Sequence, residues 1–211
     1  MTQAEKQTVT VGVTGASGAI LAQKALVLLE EDPRVARVHL VVTETGQRLC
    51  AEELGISAGD LRQLPSRLLA RPTAKIEVLP NKDIGASIAS GSYAVDSMLV
   101  IPCSMGTLGS IANGTSDDLV ARAADVMLKE GRKLVLCVRD TPFNRIHLEN
   151  MLRAHQAGAV IMPAIPAFYH HPKTIDDLVT QYVCRALAQI DLPQEKMFRW
   201  TGQAASKKAE A

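Results

Sequence analysis

The sequence predicts a doubly wound α/β fold: a mostly parallel sheet of Rossmann or flavodoxin type, covered by helices on both faces as a three-layer sandwich. Three observations lead there. Strand and helix patterns alternate along the chain, which implies parallel strands joined by right-handed crossovers. The strand runs are continuously apolar rather than alternating, as befits strands covered on both faces. The chain has 211 residues, 47% of them apolar, with neither an internal repeat nor a linker, so one large core is expected over residues 1–200. Residues 201–211 are small and charged and are expected to form a disordered tail.

The elements follow in order. TVTVGVTG (Thr8–Gly15) is short and β-branched, a buried strand. SGAILAQKALVLLEED has helical spacing and no breaker. RVHLVVT (Arg37–Thr43) is a second strand, and ETGQRLCAEEL a helix. Residues 55–74 carry no single pattern; KIEVLP (Lys75–Pro80) is a short strand. DSMLVIPCS (Asp96–Ser104) is a strong strand running into TLGSIANG, a short helix closed by Gly114. SDDLVARAADVMLKEG (Ser116–Gly131) is a helix with Ser116 as its expected cap, Asp117 and Asp118 in its positive first turn, and Lys129 and Gly131 at its end. KLVLCVR (Lys133–Arg139) is a strand, RIHLENMLRAHQAG a helix, AVIMPA a strand and TIDDLVTQYVCRALAQI the last helix.

Composition narrows the function. The net charge of +1 gives no pull toward nucleic acid or an anionic membrane. Residues 1–8 are polar, without a signal-peptide core, and no apolar stretch approaches a membrane span, so a cytoplasmic protein is expected. Cys50, Cys103, Cys137 and Cys184 are scattered without metal-ligand spacing and read as buried, reduced thiols. His170 and His171 are adjacent in a proline-flanked loop, where both rings seldom face one ion, and no metal site is assigned. His147 and His155 read as surface or hydrogen-bonded core residues.

In a doubly wound sheet, ligands bind beyond the carboxyl ends of the strands. Those ends carry Gly15, Ala16, Ser17 and Gly18; Thr43; Ser104, Met105, Gly106 and Thr107; Arg139 and Asp140; and the segment Pro163–Tyr169. The set is rich in glycine and hydroxyls, with one arginine, and suits a phosphate-bearing ligand better than a metal. Gly12, Gly15 and Gly18 do not make the G-x-G-x-x-G fingerprint, and there is no G-x-x-x-x-G-K-[ST] loop. VTGASGAIL is thus either a cradle for one phosphate, as in a mononucleotide such as FMN, or a plain turn capped by Ser17. On the helix from Ser116, Arg122 and Lys129 share a face. They are either partners in ion pairs with Asp118 and Asp125, or a cationic face for a second phosphate, offered to a neighbouring subunit. Trp200 either pins the C-terminal segment or serves a site.

TGASGA, ASGSY, PCSMGTL, ARAADVMLKE, RDTPFNRIHLENM and GAVIMPAIPAFYHHP followed by DDLV together resemble the UbiX/Pad family of flavin prenyltransferases, across about residues 8 to 200. The resemblance implies a homo-oligomer, usually a dodecamer, that binds reduced FMN without a metal. It implies transfer of a dimethylallyl group from dimethylallyl phosphate to flavin N5, ring closure through C6, and release of prenylated FMN to a UbiD-type decarboxylase. It implies FMN contacts from Gly15, Ala16, Ser17, Thr43, Ser104, Met105, Gly106, Thr107 and Arg139. It implies that Ser90, Arg122, Lys129, Tyr169 and Arg185 hold the prenyl donor, and that Ser17, Glu53, Lys129, Asp140 and Trp200 serve the chemistry. The chain has Asp140 where the family pattern has glutamate, so a proton relay there is expected to be rearranged or water-bridged. Thr43 replaces the usual serine and keeps its hydroxyl.

Two rivals are distinguishable. An FMN-dependent cysteine-type decarboxylase has a P-A-S-A-N-T signature and a histidine after an early helix; here the run reads IASGSYAVD, and residues 44–75 contain no histidine. A non-catalytic flavin carrier has no use for Arg122, Tyr169 and Arg185.

Overall fold

The computed structural model describes residues 6–57 and 59–200, so the expected tail, 201–211, lies outside the described residues. Six parallel strands pair in the order β3-β2-β1-β4-β5-β6. They are β1 (Gln7–Val13), β2 (Val35–Val42), β3 (Ile76–Pro80), β4 (Ser97–Cys103), β5 (Lys133–Val138) and β6 (Val160–Ile161). The helices are α1 (Ala19–Glu31), α2 (Glu44–Leu54), α3 (Leu64–Leu69), α4 (Met105–Asn113), α5 (Leu119–Lys129), α6 (Arg145–Gln156) and α7 (Ile175–Gln189). The strand order reverses between β1 and β4, which is where a ligand crevice opens in such sheets.

Successive side chains of a strand point to opposite faces, so the apolar runs feed two cores. Leu99 and Ile101 of β4 join Val9, Val11 and Val13 of β1 against α1 and α7. Met98 and Val100, which alternate with them in sequence, pack instead against α4, α5 and α6. The two layers matter for function because whatever α5 carries lies across the sheet from whatever α7 carries.

Four local expectations change. Residues 55–74 resolve into a 3-10 turn at Leu61–Gln63 and the short α3, which has Pro65 in its first turn. β6 contains only two residues, because Pro163 stops the run AVIMPA. α5 is capped by Asp118, whose carboxylate accepts from Ala121 N at 2.8 Å, and not by Ser116. Asp118 also accepts from Asn81 Nδ2 at 3.1 Å, so Arg122 pairs with Asp125 three residues on. Lys129 pairs with its neighbour Glu130 rather than with Asp125. All four cysteines are free and buried, as expected, and burial holds the Cys50 thiol up at about 11.

Candidate active site

The carboxyl edge of the sheet is tied together at the switch point by Thr14, which is 1% exposed. Its hydroxyl donates to Pro102 O (2.9 Å) and accepts from Ser104 N (2.8 Å), joining the end of β1 to the end of β4. Thr14 was not among the residues singled out from the sequence. Its only advance signal is a hydroxyl between the end of the strand and a glycine.

The loop Gly15–Gly18 is held from an unexpected direction. Gly18, at φ 121°, is the N-cap of α1 and makes no side-chain cap, and Ser17 does not supply one. Glu53, near the end of α2, reaches across instead: its carboxylate accepts from Gly18 N (2.9 Å) and Ala19 N (2.8 Å). Partial burial pushes the Glu53 pKa up. The Ser17 hydroxyl, the two amides and the Arg139 charge outweigh this and hold it below its ordinary value. The Gly18 and Ala19 amides at the start of α1 are therefore already engaged by an anion of the protein itself.

A depressed carboxylate pKa stabilises the fold above the unfolded value, here near 4.5, and that contribution is lost as pH falls through the folded value. Glu53→Gln is expected to destabilise the protein at neutral pH but to shrink the difference from wild type at about pH 4; urea midpoints at the two pH values check this.

Gly15 is required for close approach. A Cβ there would lie 2.3 Å from Thr45 Oγ1 and 2.6 Å from Thr45 Cβ. The Thr45 hydroxyl is also 3.2 Å from that of Thr43, which is 8% exposed and caps α2 by accepting from Gly46 N at 3.0 Å. Gly15→Ala is expected to cost about 1–3 kcal/mol through overpacking. Adding Thr45→Gly, which removes the opposing atoms, is expected to return part of that loss as a non-additive term in a double-mutant cycle.

The second strand-end loop is conventional. Ser104 caps α4, its Oγ accepting from Thr107 N at 3.3 Å and donating to Thr107 Oγ1 at 3.1 Å. Met105 and Gly106, at the first two positions of this helix, have amides with no intrahelical acceptor. Arg139 follows β5, its backbone N–H bonded to Cys103 O at 3.1 Å, while its Nε is buried with no protein partner. A buried guanidinium N–H without an acceptor is costly, and at a sheet edge it fits an incoming anion or ring acceptor. Asp140 turns back to accept from Thr141 N at 2.8 Å.

The segment after β6 runs beside this edge, with Ala164 N donating to Val138 O at 2.8 Å. It leads to Tyr169, whose hydroxyl accepts from Arg185 of α7 at 3.5 Å. A cleft of about 390 Å³ lies between them, walled by Met162, Pro163, Ile165 and Tyr182. Trp200 is set edge-on to Tyr169, ring centroids 6.4 Å apart, with Phe198 at 5.5 Å from the same ring. Buried Gln181 holds the Trp200 segment by accepting from Phe198 N (2.9 Å) and donating to Phe198 O (3.3 Å). Gln181, like Thr14, was not singled out from the sequence.

Ser90, Arg122 and Lys129 form a separate group. Arg122 Nε donates to Ala89 O at 3.2 Å, and Lys129 lies over Gly91. They sit on the α5 side of the sheet, away from Tyr169 and Arg185 on the α7 side. α5 descends toward Lys133, the first residue of β5, so Lys129 stands about 10 Å further from the cradle than Arg122. Among the described residues, no group of three or more His, Cys, Asp or Glu is placed to hold a metal ion, and no helix is long and apolar enough to cross a membrane.

Strand ends at the switch point that carry glycine, hydroxyls, helix-start amides and an arginine Nε with no protein partner are those of a nucleotide-binding type of α/β protein. The family model described as Flavoprotein matches residues 1–187. A flavin prenyltransferase UbiX from Halalkalibacterium halodurans is 47% identical over 192 residues, 90% of this chain and 92% of the relative. The crystal structure of AnUbiX (PadA1) in complex with FMN and dimethylallyl pyrophosphate superposes with a TM-score of 0.84 at 40% identity, covering 94% of this chain and 100% of that one. That of a dodecameric FMN-dependent UbiX-like decarboxylase from Escherichia coli O157:H7 gives a TM-score of 0.83 at 43% identity, over 93% and 100%. The chain belongs to the UbiX family of flavin prenyltransferases.

Proposed function

We propose that this protein joins a dimethylallyl group from dimethylallyl phosphate to N5 and C6 of reduced FMN, and that prenylated FMN passes to a UbiD-type decarboxylase. The observation that carries the reading is the buried Nε of Arg139, which has no protein partner, at the end of β5, where the Arg139 backbone is bonded to Cys103 just before α4 and its charge acts on Glu53. Gly15, Ala16, Ser17, Thr43, Ser104, Met105, Gly106, Thr107 and Arg139 hold the flavin. Reduced FMN, when bound, supplies the nucleophile, so the protein's task is to orient two ligands and exclude water.

Breaking an allylic C–O bond separates a cation from a phosphate. Tyr169 and Arg185 receive the phosphate on the α7 side, next to a cleft whose apolar wall suits a five-carbon chain. Trp200 offers a π face to the developing cation. Ser17, whose hydroxyl helps keep Glu53 ionised, is suited to carry a proton during ring closure. Asp140 reaches that path only through water, its carboxylate being turned to Thr141 N.

Ser90, Arg122 and Lys129 complete the phosphate site from a second copy of the chain. Self-association is supported by the apolar side chains that α6 leaves exposed, Ile146, Leu148 and Leu152, which are 65%, 54% and 55% accessible. A dodecamer, as in the bacterial relative, satisfies both needs.

The test is anaerobic incubation with reduced FMN and either dimethylallyl phosphate or the diphosphate, followed by mass analysis of the flavin. A mass gain of one prenyl unit is expected. Recovery of unmodified FMN with both donors would leave a flavin carrier.

A further inference from the structure

We propose that Arg132 is a positioning residue for the prenyl-donor phosphate: it shapes the Ser90–Tyr93 strap against which Lys129 is presented. The inference rests on the donor reading of Ser90, Arg122 and Lys129 given above, and it adds a residue that touches neither ligand.

The strap joins the 3-10 turn Ser87–Ala89 to the start of β4 and has no regular structure of its own. Its shape is imposed by arginines. The carbonyls of Ala89, Gly91 and Tyr93 are all turned toward guanidinium groups. Ala89 O accepts from Arg122 Nε at 3.2 Å, Gly91 O from Arg132 Nη2 at 2.7 Å and Tyr93 O from Arg132 Nη1 at 3.0 Å. With alternate carbonyls held on one side, the residues between them are free to face outward. Ser90 and Ser92 are exposed, their hydroxyls 2.9 Å apart.

Gly91 brings the cation in. A Cβ at that position would stand 2.6 Å from Lys129 Nζ and closer still to the Glu130 carboxylate, so the Lys129–Glu130 pair closes onto bare backbone beside Ser90. Arg132 is itself well anchored: Gly131, at φ 64°, ends α5 in the left-handed region, and Arg132 N donates to Met127 O at 2.8 Å. On the other side the Tyr93 hydroxyl meets Nε2 of His39, which is 1% exposed, at 3.0 Å. Arg132 is therefore a fixed fork between a helix end and two strap carbonyls, a geometry a single ammonium cannot reproduce.

A purely structural Arg132 and a positioning Arg132 differ in what they move. Steady-state kinetics with reduced FMN and dimethylallyl phosphate on the intact oligomer separates them, with FMN affinity titrated in parallel. Arg132→Met is expected to raise the donor KM roughly tenfold, with kcat and FMN Kd within about twofold. Arg132→Lys is expected to fall between wild type and Arg132→Met. It also serves in place of Arg132→Met should that variant not assemble. Lys129→Ala is the control for the underlying reading. An unchanged donor KM in both Arg132 variants, with Lys129→Ala raising it, overturns the positioning role and leaves the donor site standing. An unchanged donor KM in Lys129→Ala overturns the donor reading itself. Parallel loss of FMN affinity and donor affinity in the Arg132 variants assigns Arg132 to general stability and also overturns the proposal.

Discussion

Replacing Arg139 by methionine is expected to raise the FMN dissociation constant about ten- to a hundredfold, the equivalent of roughly 1.5–3 kcal/mol for a lost hydrogen bond to a charged group. The ligand-free protein is expected to remain within about 0.5 kcal/mol of wild type. The two halves of this expectation share one cause. In the free protein the Arg139 Nε–H is buried with no acceptor, so its removal relieves an unsatisfied donor. The bond that fixes the backbone here, Arg139 N to Cys103 O at 3.1 Å, does not involve the side chain. What the free protein loses is the cation that helps keep Glu53 ionised, and Glu53 retains the Ser17 hydroxyl and two amides. Flavin titration and denaturant unfolding on the same preparation check both halves. An unchanged Kd would remove Arg139 from the flavin site, and a large loss of stability in the free protein would make its role structural.

The sheet and its edge were readable in the sequence because both follow from short-range rules. Continuous apolar runs gave all six strands, and the parallel connections then dictated that the strand-end loops lie together at one edge. Long-range side-chain choices were not readable. The sequence offers Ser17 as a cap for α1, yet a carboxylate 35 residues away takes that position. Asp118 has a similar history: next to Ser116 in sequence, it becomes the cap of α5 because Asn81 anchors it from another loop at 3.1 Å. That leaves Arg122 to Asp125 instead of the i−4 partner that helical periodicity suggests. Nor does any periodicity reveal that Thr14 closes the switch point or that Gln181 clamps the Trp200 segment. In each case a partner in another part of the chain fixes the polar side chain, and local spacing carries no record of that partner.

The division of the donor residues between two faces of the sheet leads to the largest expected effect. Lys129→Ala and Arg185→Ala are each expected to cut kcat/KM for dimethylallyl phosphate about a hundredfold while leaving it measurable, since in the proposed site each removes a cation from the departing phosphate. The cations belong to different layers: Arg185 is on α7, facing the core that contains α1, and Lys129 ends α5 on the opposite core. On the proposed reading, a phosphate that meets both draws them from different copies of the chain, and the two lesions then complement each other. Unfolding and refolding the two variants together is expected to restore transfer to about a quarter of the wild-type level, the fraction of sites in random hybrids that draw an intact Lys129 from one copy and an intact Arg185 from another. Were one copy to supply both cations, every site in the mixture would carry one lesion or the other and activity would stay at the level of the separate variants. The outcome therefore decides between a site closed within one protomer and a site shared across an interface, and it does so without depending on which oligomer forms.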